Sequence, residues 1–194
     1  MATRPRKKTV DPLEAAVVDL LHALGREAKG GMAATPERAA EAWRVFTRGY
    51  TSSAGEVFAE GTFEAAHDGL VLVRGIDFYS VCEHHLVPFF GRVNVAYLPS
   101  GKIAGLSKFA RLVDVHARRL QVQERMTHDI AADIQKHLKP RGVAVQIEAR
   151  HLCMAMRGVE QKNADVVTSA MLGRFRDDPA LATEFRAMIA RRED

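Results

Sequence analysis

Apolar residues recur at helical spacing in two stretches near the N-terminus. The first begins at Asp11, which precedes a proline at the first helical position, and glycines at 25, 30 and 31 end it. Its apolar side chains are Leu13, Val17, Leu20, Leu21 and Leu24. The second begins at Thr35 and places Ala39, Trp43 and Phe46 on one face. These patterns predict two helices, followed by a loop over residues 51–68.

From residue 69 the pattern changes to one typical of β-strands, with β-branched and aromatic residues in short runs. The predicted strands are residues 70–73, 76–81, 87–98 and 143–150. Helical spacing returns between the last two strands, over residues 109–120 and 122–134, and a final helix is expected after Pro179. This order predicts an α+β fold, with an antiparallel sheet, helices on one face and an N-terminal helical segment.

The net charge is concentrated at one end of the chain. The formal net charge is +4, and residues 1–10 contain four basic residues and no acidic ones, so the remainder of the chain sums to zero. Duplex-binding proteins usually spread basic charge over a folded face, so we expect no nucleic-acid partner. The predicted organisation is a disordered basic tail at residues 1–10, a helical segment at 11–68 and an α+β domain at 69–194.

Hydropathy and cysteine content bear on the compartment. The basic N-terminus is not followed by an apolar run, and no stretch approaches the roughly 20 apolar residues that span a bilayer. The two cysteines, Cys82 and Cys153, are too few for a disulfide scaffold in a chain of this size. We therefore expect a cytoplasmic protein without membrane contact, whose thiols are free or bind a metal.

Both cysteines lie close to histidines. Cys82 and His85 are three residues apart, so both can reach one tetrahedral zinc ion, and Cys153 is the candidate third ligand. Three protein ligands leave a position for water, which zinc activates as a nucleophile in hydrolytic enzymes. His84 and His151 are then available as general acids or bases. Because residues two apart on a strand share a face, His151 is expected to point toward the metal side. The competing interpretation is that Cys82 and Cys153 bind no metal, because buried free cysteines commonly pack as small apolar residues.

Two polar segments indicate substrate recognition. Ser107 is the expected N-cap of a helix whose first turn carries Lys108 and Arg111. Cations there oppose the helix dipole, but with the exposed backbone N–H groups they suit a polyanion such as a triphosphate. Glu124, beside Gln123, can accept hydrogen bonds from N1–H and the 2-amino group of guanine. Taken alone, each segment also fits a solvated basic face or ordinary helix capping.

Four separated motifs resemble those of the GTP cyclohydrolase I family in order and spacing. The resemblance covers about residues 69–175, and more loosely residues 35–50 and the last helix. The motifs are Cys82-Glu83-His84-His85, Gly105-Leu106-Ser107-Lys108, Gln121-Val122-Gln123-Glu124-Arg125, and His151-Leu152-Cys153 with Arg157.

The resemblance implies a fold, a reaction and an assembly. The fold is the tunnelling fold, and the subunits form stacked rings in a toroidal decamer with active sites between subunits. The cofactor is Zn²⁺ and the substrate is GTP. The purine is opened at C8, formate is released, and rearrangement of the ribose followed by ring closure gives 7,8-dihydroneopterin triphosphate.

The resemblance also assigns roles by position. The implied zinc ligands are Cys82, His85 and Cys153, and the implied proton-transfer pair is His84 and His151. Glu124 resembles the guanine anchor, with Gln123 beside it as a further catalytic-site residue, and Ser107 resembles the residue near the ribose. The implied triphosphate contacts are Lys108, Arg111 and Arg157, with Arg38 in the N-terminal segment as a further candidate.

Two other functions compete with this interpretation. A zinc-dependent base deaminase would carry a Cys-x-x-Cys motif, which the sequence lacks. A non-catalytic ring protein could bind a purine or pterin around a structural zinc ion, but it would not need both His84 and His151. The sequence leaves open whether the product serves folate, biopterin or modified-nucleoside synthesis, and whether the protein is allosterically regulated.

Overall fold

The computed structural model describes residues 10–65 and 67–190, and the chain divides after Phe46 into two compact units. The predicted tail lies outside the described residues, except for Val10. The first unit contains helix α1 (Pro12–Ala23) and nearly all of helix α2 (Thr35–Thr47). The carboxylate of Asp11 caps α1 by accepting the backbone N–H groups of Leu13 and Glu14. Both predicted N-terminal helices are confirmed.

The second unit is built on a five-stranded sheet with a separate two-stranded ribbon. Its strands, in chain order, are β1 (Thr62–Glu64), β2 (Val71–Cys82), β3 (Pro88–Leu98), β4 (Lys102–Ala104), β5 (Leu120–Gln121), β6 (Gly142–His151) and β7 (Val166–Gly173). The large sheet has the order β5-β2-β3-β6-β7, and β1 pairs with β4. All neighbours are antiparallel except β5, which runs parallel to the end of β2.

One helix of this unit precedes its first strand, and the others follow β4. The helices are α3 (Ala54–Phe58), α4 (Leu106–Ala117), α5 (Gln123–Leu138), α6 (Leu152–Ala155), α7 (Arg174–Asp177) and α8 (Pro179–Ala190). Among the described residues, no helix combines the length and apolar character that a bilayer-spanning segment needs.

The sheet buries one face under α4 and α5. Alternate strand residues such as Val93 and Val95 pack against Phe109 of α4 and Ile130 of α5, and all four side chains are fully buried. The intervening residues face the opposite side, where Ala96 and its neighbours form a smaller cluster with the C-terminal helices α7 and α8. The predicted α+β architecture with an antiparallel sheet is confirmed, in agreement with the tunnelling fold that the resemblance implies.

Several local predictions need correction. The runs 70–73 and 76–81 belong to one strand, β2, which is interrupted by a bulge where Gly75 has φ +74°. The region predicted as a loop contains α3, which begins with a capping box between Ser53 and Glu56. The sequence analysis also missed β7, which forms one edge of the sheet.

The start of α4 differs from the prediction as well. The helix begins at Leu106 with Gly105 as its N-cap, and no side chain caps it. The backbone N–H of Gly105 donates to the carbonyl of Gly61 at 2.9 Å, and the helix begins two residues earlier than expected. Ser107 is therefore an exposed residue in the first turn, and the N-cap assignment was wrong.

Candidate active site

The sheet topology brings the two cysteine motifs to the same end of the second unit. Strand β2 ends at Cys82 and strand β6 ends at His151, and β3 lies between them. The first residues of β3 pair with both strand ends, Pro88 with Val81 and Phe89 with His151. The two motifs are 68 residues apart in sequence, counted from His85 to Cys153, and they meet at one end of the sheet, where these strands terminate.

A tight turn over residues 82–87, here called the metal turn, carries two of the predicted ligands. The N–H of Cys82 donates to the carbonyl of Val87 at 3.0 Å, and the carbonyl of Cys82 accepts from Leu86 at 2.9 Å. Leu86 has φ +54°, a left-handed conformation that reverses the chain direction. The turn folds His85 back, so that its Nδ1 lies 3.7 Å from Sγ of Cys82.

The third predicted ligand, Cys153, completes a compact set of three possible metal ligands with Cys82 and His85, here called the metal group. One ligand atom each from Cys82, His85 and Cys153 lie within 4.8 Å of one another. Typical zinc–sulfur and zinc–nitrogen bond lengths place neighbouring ligands of a tetrahedral site about 3.6 Å apart, close to the observed separation between Cys82 and His85. Burial raises the pKa of the Cys153 thiol, and the neighbouring Cys82 raises it further. A bound cation would offset this effect, so the three side chains fit a metal site.

Cys153 reaches the group from a helix and not from a strand. The strand β6 ends at His151, and Cys153 lies in the first turn of α6. The expectation that His151 and Cys153 share a strand face was therefore wrong, because the backbone leaves the extended conformation between them. The position of His151 depends instead on contacts with β3 and α5.

Two contacts fix the imidazole of His151. Its ring stacks on that of Phe89, with centroids 4.5 Å apart and planes 7° from parallel. Its Nε2 lies 2.7 Å from Oε1 of Gln123. Burial lowers the pKa of His151, and the carboxylate of Glu124 partly offsets this effect. The imidazole is therefore neutral at pH 7 in the protein alone.

The orientation of Gln123 decides which nitrogen of His151 carries the proton. The amide nitrogen of Gln123 lies 3.2 Å from the carbonyl of Ile147 and 2.9 Å from that of Val166, and it also contacts Thr168. Since carbonyls only accept, this nitrogen must face them and Oε1 must face His151. Nε2 of His151 is then the donor, and Nδ1 carries the lone pair. Gln123 is 1% exposed, so its side chain orients His151 and does not face solvent.

Glu124 lies one residue further along α5, on its exposed side. It lines a surface pocket of about 310 Å³ between α5 and the edge strand β7, together with Thr127, His128 and residues 168–172. The residue before it, Gln123, is hydrogen-bonded to His151, and the carboxylate of Glu124 raises the pKa of that histidine. The predicted guanine anchor and the predicted proton-transfer residue are thus neighbours.

Two further predicted residues lie at the rim of the metal group. His84 is exposed, and its ring centroid is 6.2 Å from that of His85. Arg157 is exposed just after α6, and its charge opposes the rise in the pKa of the Cys153 thiol. Both side chains therefore have access to a ligand bound at the metal group.

The remaining predicted contacts of the second unit lie at the other end of the sheet. Ser107, Lys108 and Arg111 are in the first two turns of α4, where the ring of Phe109 packs against that of Tyr97 with centroids 5.3 Å apart. Tyr97 is nine residues along β3 from the strand end beside the metal turn, which is roughly 30 Å. One copy of the chain does not bring these residues to the metal group. Arg38 lies in α2, in the first unit.

Sequence reasoning missed an ion pair beside the metal turn. Arg125, in the first turn of α5, forms a two-pronged contact with the carboxylate of Glu83. This hydrogen bond, with the charge of Arg125, lowers the pKa of Glu83. Both residues belong to the motifs noted above, but their separation of 42 positions gives no sign that they touch.

Comparisons with known proteins identify the family of the chain. The family model of GTP cyclohydrolase I matches residues 13–190. GTP cyclohydrolase 1 of Alkalilimnicola ehrlichii is 50% identical over 178 residues, covering 91% of this chain and 96% of that protein. The protein of the same name from Rattus norvegicus is 47% identical over 194 residues, covering 97% of this chain and 80% of that protein.

One solved structure is a more distant match. The apo form of the archaeosine synthase QueF-Like is 21% identical, with a TM-score of 0.45, over 55% of this chain and 96% of that one. A likeness this distant does not bear on function. The family model spans nearly the whole chain, and the relatives are about half identical to it over most of their length. The chain belongs to the GTP cyclohydrolase I family of hydrolases.

Proposed function

We propose that this protein converts GTP to 7,8-dihydroneopterin triphosphate with release of formate, and that the reaction depends on zinc. The observation that carries the proposal is the group of Cys82, His85 and Cys153 within 4.8 Å, next to a histidine whose orientation is fixed. Two thiolates and one imidazole are a ligand set of catalytic zinc, with one position left for water or substrate. Zinc bound there would supply a nucleophilic water at neutral pH and polarise the bond under attack.

Two histidines of the protein carry out the proton transfers. Nδ1 of His151 is the nitrogen free to exchange a proton, because Nε2 is held by Gln123. Nδ1 first accepts a proton from the water that attacks C8, and it then donates this proton to the imidazole nitrogen of the purine as the ring opens. His84, exposed beside His85, is the second acid–base group for the ribose rearrangement.

Guanine is selected by the carboxylate of Glu124. The carboxylate is acceptor-only when ionised, so it complements two adjacent donors, the N1–H and 2-amino group of guanine. Adenine has an unprotonated N1 and no amino group at C2, so it offers neither donor. The position of Glu124, next to His151 and on the wall of a pocket, supports this role.

Replacement of Glu124 with alanine should weaken binding of GTP and reduce discrimination against ATP. A buried donor without a partner typically costs about 1–3 kcal/mol, which corresponds to about 5- to 150-fold in affinity. Inosine triphosphate, which keeps N1–H but lacks the amino group, should fall between GTP and ATP with the native protein. Affinities measured by calorimetry test this order. Glu184→Ala, at an exposed position on α8, is the matched control, and equal binding of GTP and ATP by native protein would refute the assignment.

The triphosphate contacts point to a site shared between subunits. Lys108 and Arg111, with Ser107, lie at the end of the sheet away from the metal group. They contact a substrate bound at that group only if another copy supplies them, whereas Arg157 comes from the same copy. This placement supports a homo-oligomer with active sites between subunits, such as the toroidal decamer. Arg38 remains a candidate phosphate contact.

The edges of the sheet also support a ring. Strand β7 pairs only with β6, and β5 covers only the last two residues of β2, among the strands that the structure describes. The sheet therefore has two long free edges on opposite sides, β7 and most of β2. Free edges pair readily with another strand, and head-to-tail pairing of identical subunits closes into a ring.

Mixing two inactive variants should restore activity if the site is shared. The Lys108→Ala protein retains all three metal ligands, and the Cys153→Ser protein retains Lys108. In a mixed assembly, a site formed between one subunit of each variant therefore contains both the intact metal group and Lys108. Random mixing after dissociation should restore up to about a quarter of the sites. Turnover of GTP by the mixture, compared with each variant alone, is the measurement. No recovery in mixed assemblies that mass spectrometry shows to have formed would contradict the shared site.

Zinc dependence is tested by removal and return of the metal. Treatment with a chelator should abolish release of formate from GTP, and Zn²⁺ should restore it while Mg²⁺, which prefers oxygen ligands, should not. Full activity in protein shown by elemental analysis to be metal-free would exclude a zinc-dependent reaction.

A further inference from the structure

Arg125 uses all three nitrogens of its guanidinium group at the point where α5 meets the metal turn. Nε donates to Oε1 of Gln121 at 2.9 Å, and one terminal nitrogen lies 3.3 Å from Oε1 of Glu83. The other terminal nitrogen donates to Oε2 of Glu83 and lies 3.4 Å from the carbonyl of Leu120. This two-pronged arrangement is the most directional contact that a side chain makes with a carboxylate.

Glu83 is held by its backbone as well as by its side chain. It lies directly between the ligand Cys82 and the acid–base candidate His84, and its backbone N–H donates to the carbonyl of Gln121 at 3.1 Å. Gln121 is in turn 2% exposed, and its amide nitrogen donates to the carbonyl of His116 at 3.2 Å. A buried residue of β5 thus anchors both members of the ion pair.

The ion pair links the metal turn, which carries two of the metal ligands, to the helix that carries Glu124. Glu83 belongs to the metal turn, and Arg125 follows directly after Glu124 on α5. The distance between the metal and the guanine carboxylate therefore depends on how the turn is held against the helix. The ion pair is partly exposed, with side-chain exposures of 46% for Arg125 and 32% for Glu83, and pairs of this kind add little to folding stability.

We propose that Glu83 and Arg125 form a positioning clamp, which sets the metal ligands at a fixed distance from the guanine-binding carboxylate of Glu124. Neither residue touches the reacting atoms in this role. The inference rests on the proposed function, because it concerns the same metal group and the same substrate. Supporting residues around metal ligands typically contribute about 10- to 100-fold to metal affinity or activity, and the clamp is a contact of that kind.

The test compares zinc affinity and GTP kinetics in three variants of the full-length protein. Arg125→Met removes the ion pair with Glu83. Arg125→Lys keeps the positive charge but cannot form the two parallel hydrogen bonds, and Glu83→Gln removes the negative charge. Arg125→Met should bind Zn²⁺ about 10- to 100-fold more weakly in competition with a chelator. At saturating zinc, its kcat for GTP should fall more than its KM rises, because the metal is misplaced and not absent. Arg125→Lys should lie between Arg125→Met and native protein.

A second ion pair, which lies on the sheet, provides the matched control. Arg92 and Asp77 are also partly exposed and 3.3 Å apart, but they lie on β3 and β2, away from the strand ends that carry the metal group. Arg92→Met should change the melting temperature by as much as Arg125→Met and leave zinc affinity unchanged.

Native zinc affinity in a folded Arg125→Met protein would overturn the clamp. If Arg125→Met does not fold, Glu83→Gln decides, since it exchanges one oxygen for an amide group and should still weaken zinc binding. A failure of the proposed function is separate and visible in native protein, which would then bind no zinc or leave GTP unchanged.

Discussion

The Cys153→Ser protein is expected to contain almost no metal and to lose turnover of GTP. A serine hydroxyl stays protonated at neutral pH and offers a hard oxygen in place of a thiolate, so zinc loses one of its three protein ligands. The loss of affinity should exceed the ~10- to 100-fold that is typical when a supporting residue is removed. Elemental analysis of the purified protein, with GTP consumption measured on the same sample, checks both effects.

A nearby sulfur-containing residue provides the control for this experiment. Met156 lies three residues after Cys153, is 67% exposed and is not part of the donor group. Met156→Ser should keep both metal and activity. Full metal occupancy in Cys153→Ser would show that Cys153 is not a ligand, whatever its effect on turnover.

The His151→Ala protein is expected to keep its metal and lose ring opening. His151 stacks on Phe89 and bonds to Gln123, and it is outside the donor group formed by the two cysteines and His85. Without a proton donor at the purine nitrogen, turnover should fall by about 10²- to 10⁴-fold. Metal content and single-turnover consumption of GTP are the measurements.

A second variant separates chemistry from packing at the same position. His151→Ala leaves Oε1 of Gln123 without its donor, whereas His151→Gln can still donate to it but cannot exchange a proton near neutral pH. Both variants should be equally inactive, and His151→Gln should be the more stable. His67→Ala, at an exposed position, is the control. A metal-free His151→Gln protein would make His151 a ligand, and a fully active one would exclude it from the reaction.

The metal group could be predicted because its signal is local and rare. The chain has two cysteines, and each has a histidine within three residues, so the candidates for a metal site are few. The structure brings Cys82, His85 and Cys153 together because the strands β2 and β6 terminate at the same end of the sheet. The long helices α4 and α5 and the alternating strands were predictable for the same reason, since their periodicity is carried within each segment.

Features that depend on contacts distant in sequence were not predictable in this way. The strand β7 has a run of small and polar residues in its centre, and its strand character comes from pairing with β6. The hydrogen bonds of Gln123 involve the carbonyls of Ile147 and Val166, more than 20 positions away. A glutamine at a helix start resembles an ordinary capping residue until those partners are known.

The placement of Lys108 and Arg111 illustrates a different limit. The sequence identifies them as cations suited to a triphosphate, but it does not indicate which copy of the chain they serve. The structure places them at the far end of the sheet from the metal group, so their role depends on an assembly that one chain does not specify.

The central claim is tested most directly by the product formed from GTP. Purified protein with its zinc is incubated with GTP, and the mixture is then oxidised and examined for pterin fluorescence, with formate measured in parallel. The account predicts a fluorescent neopterin product and one formate for each GTP consumed. Zinc-loaded protein that binds GTP but returns it unchanged, without formate or fluorescence, would contradict it and would favour the non-catalytic ring protein.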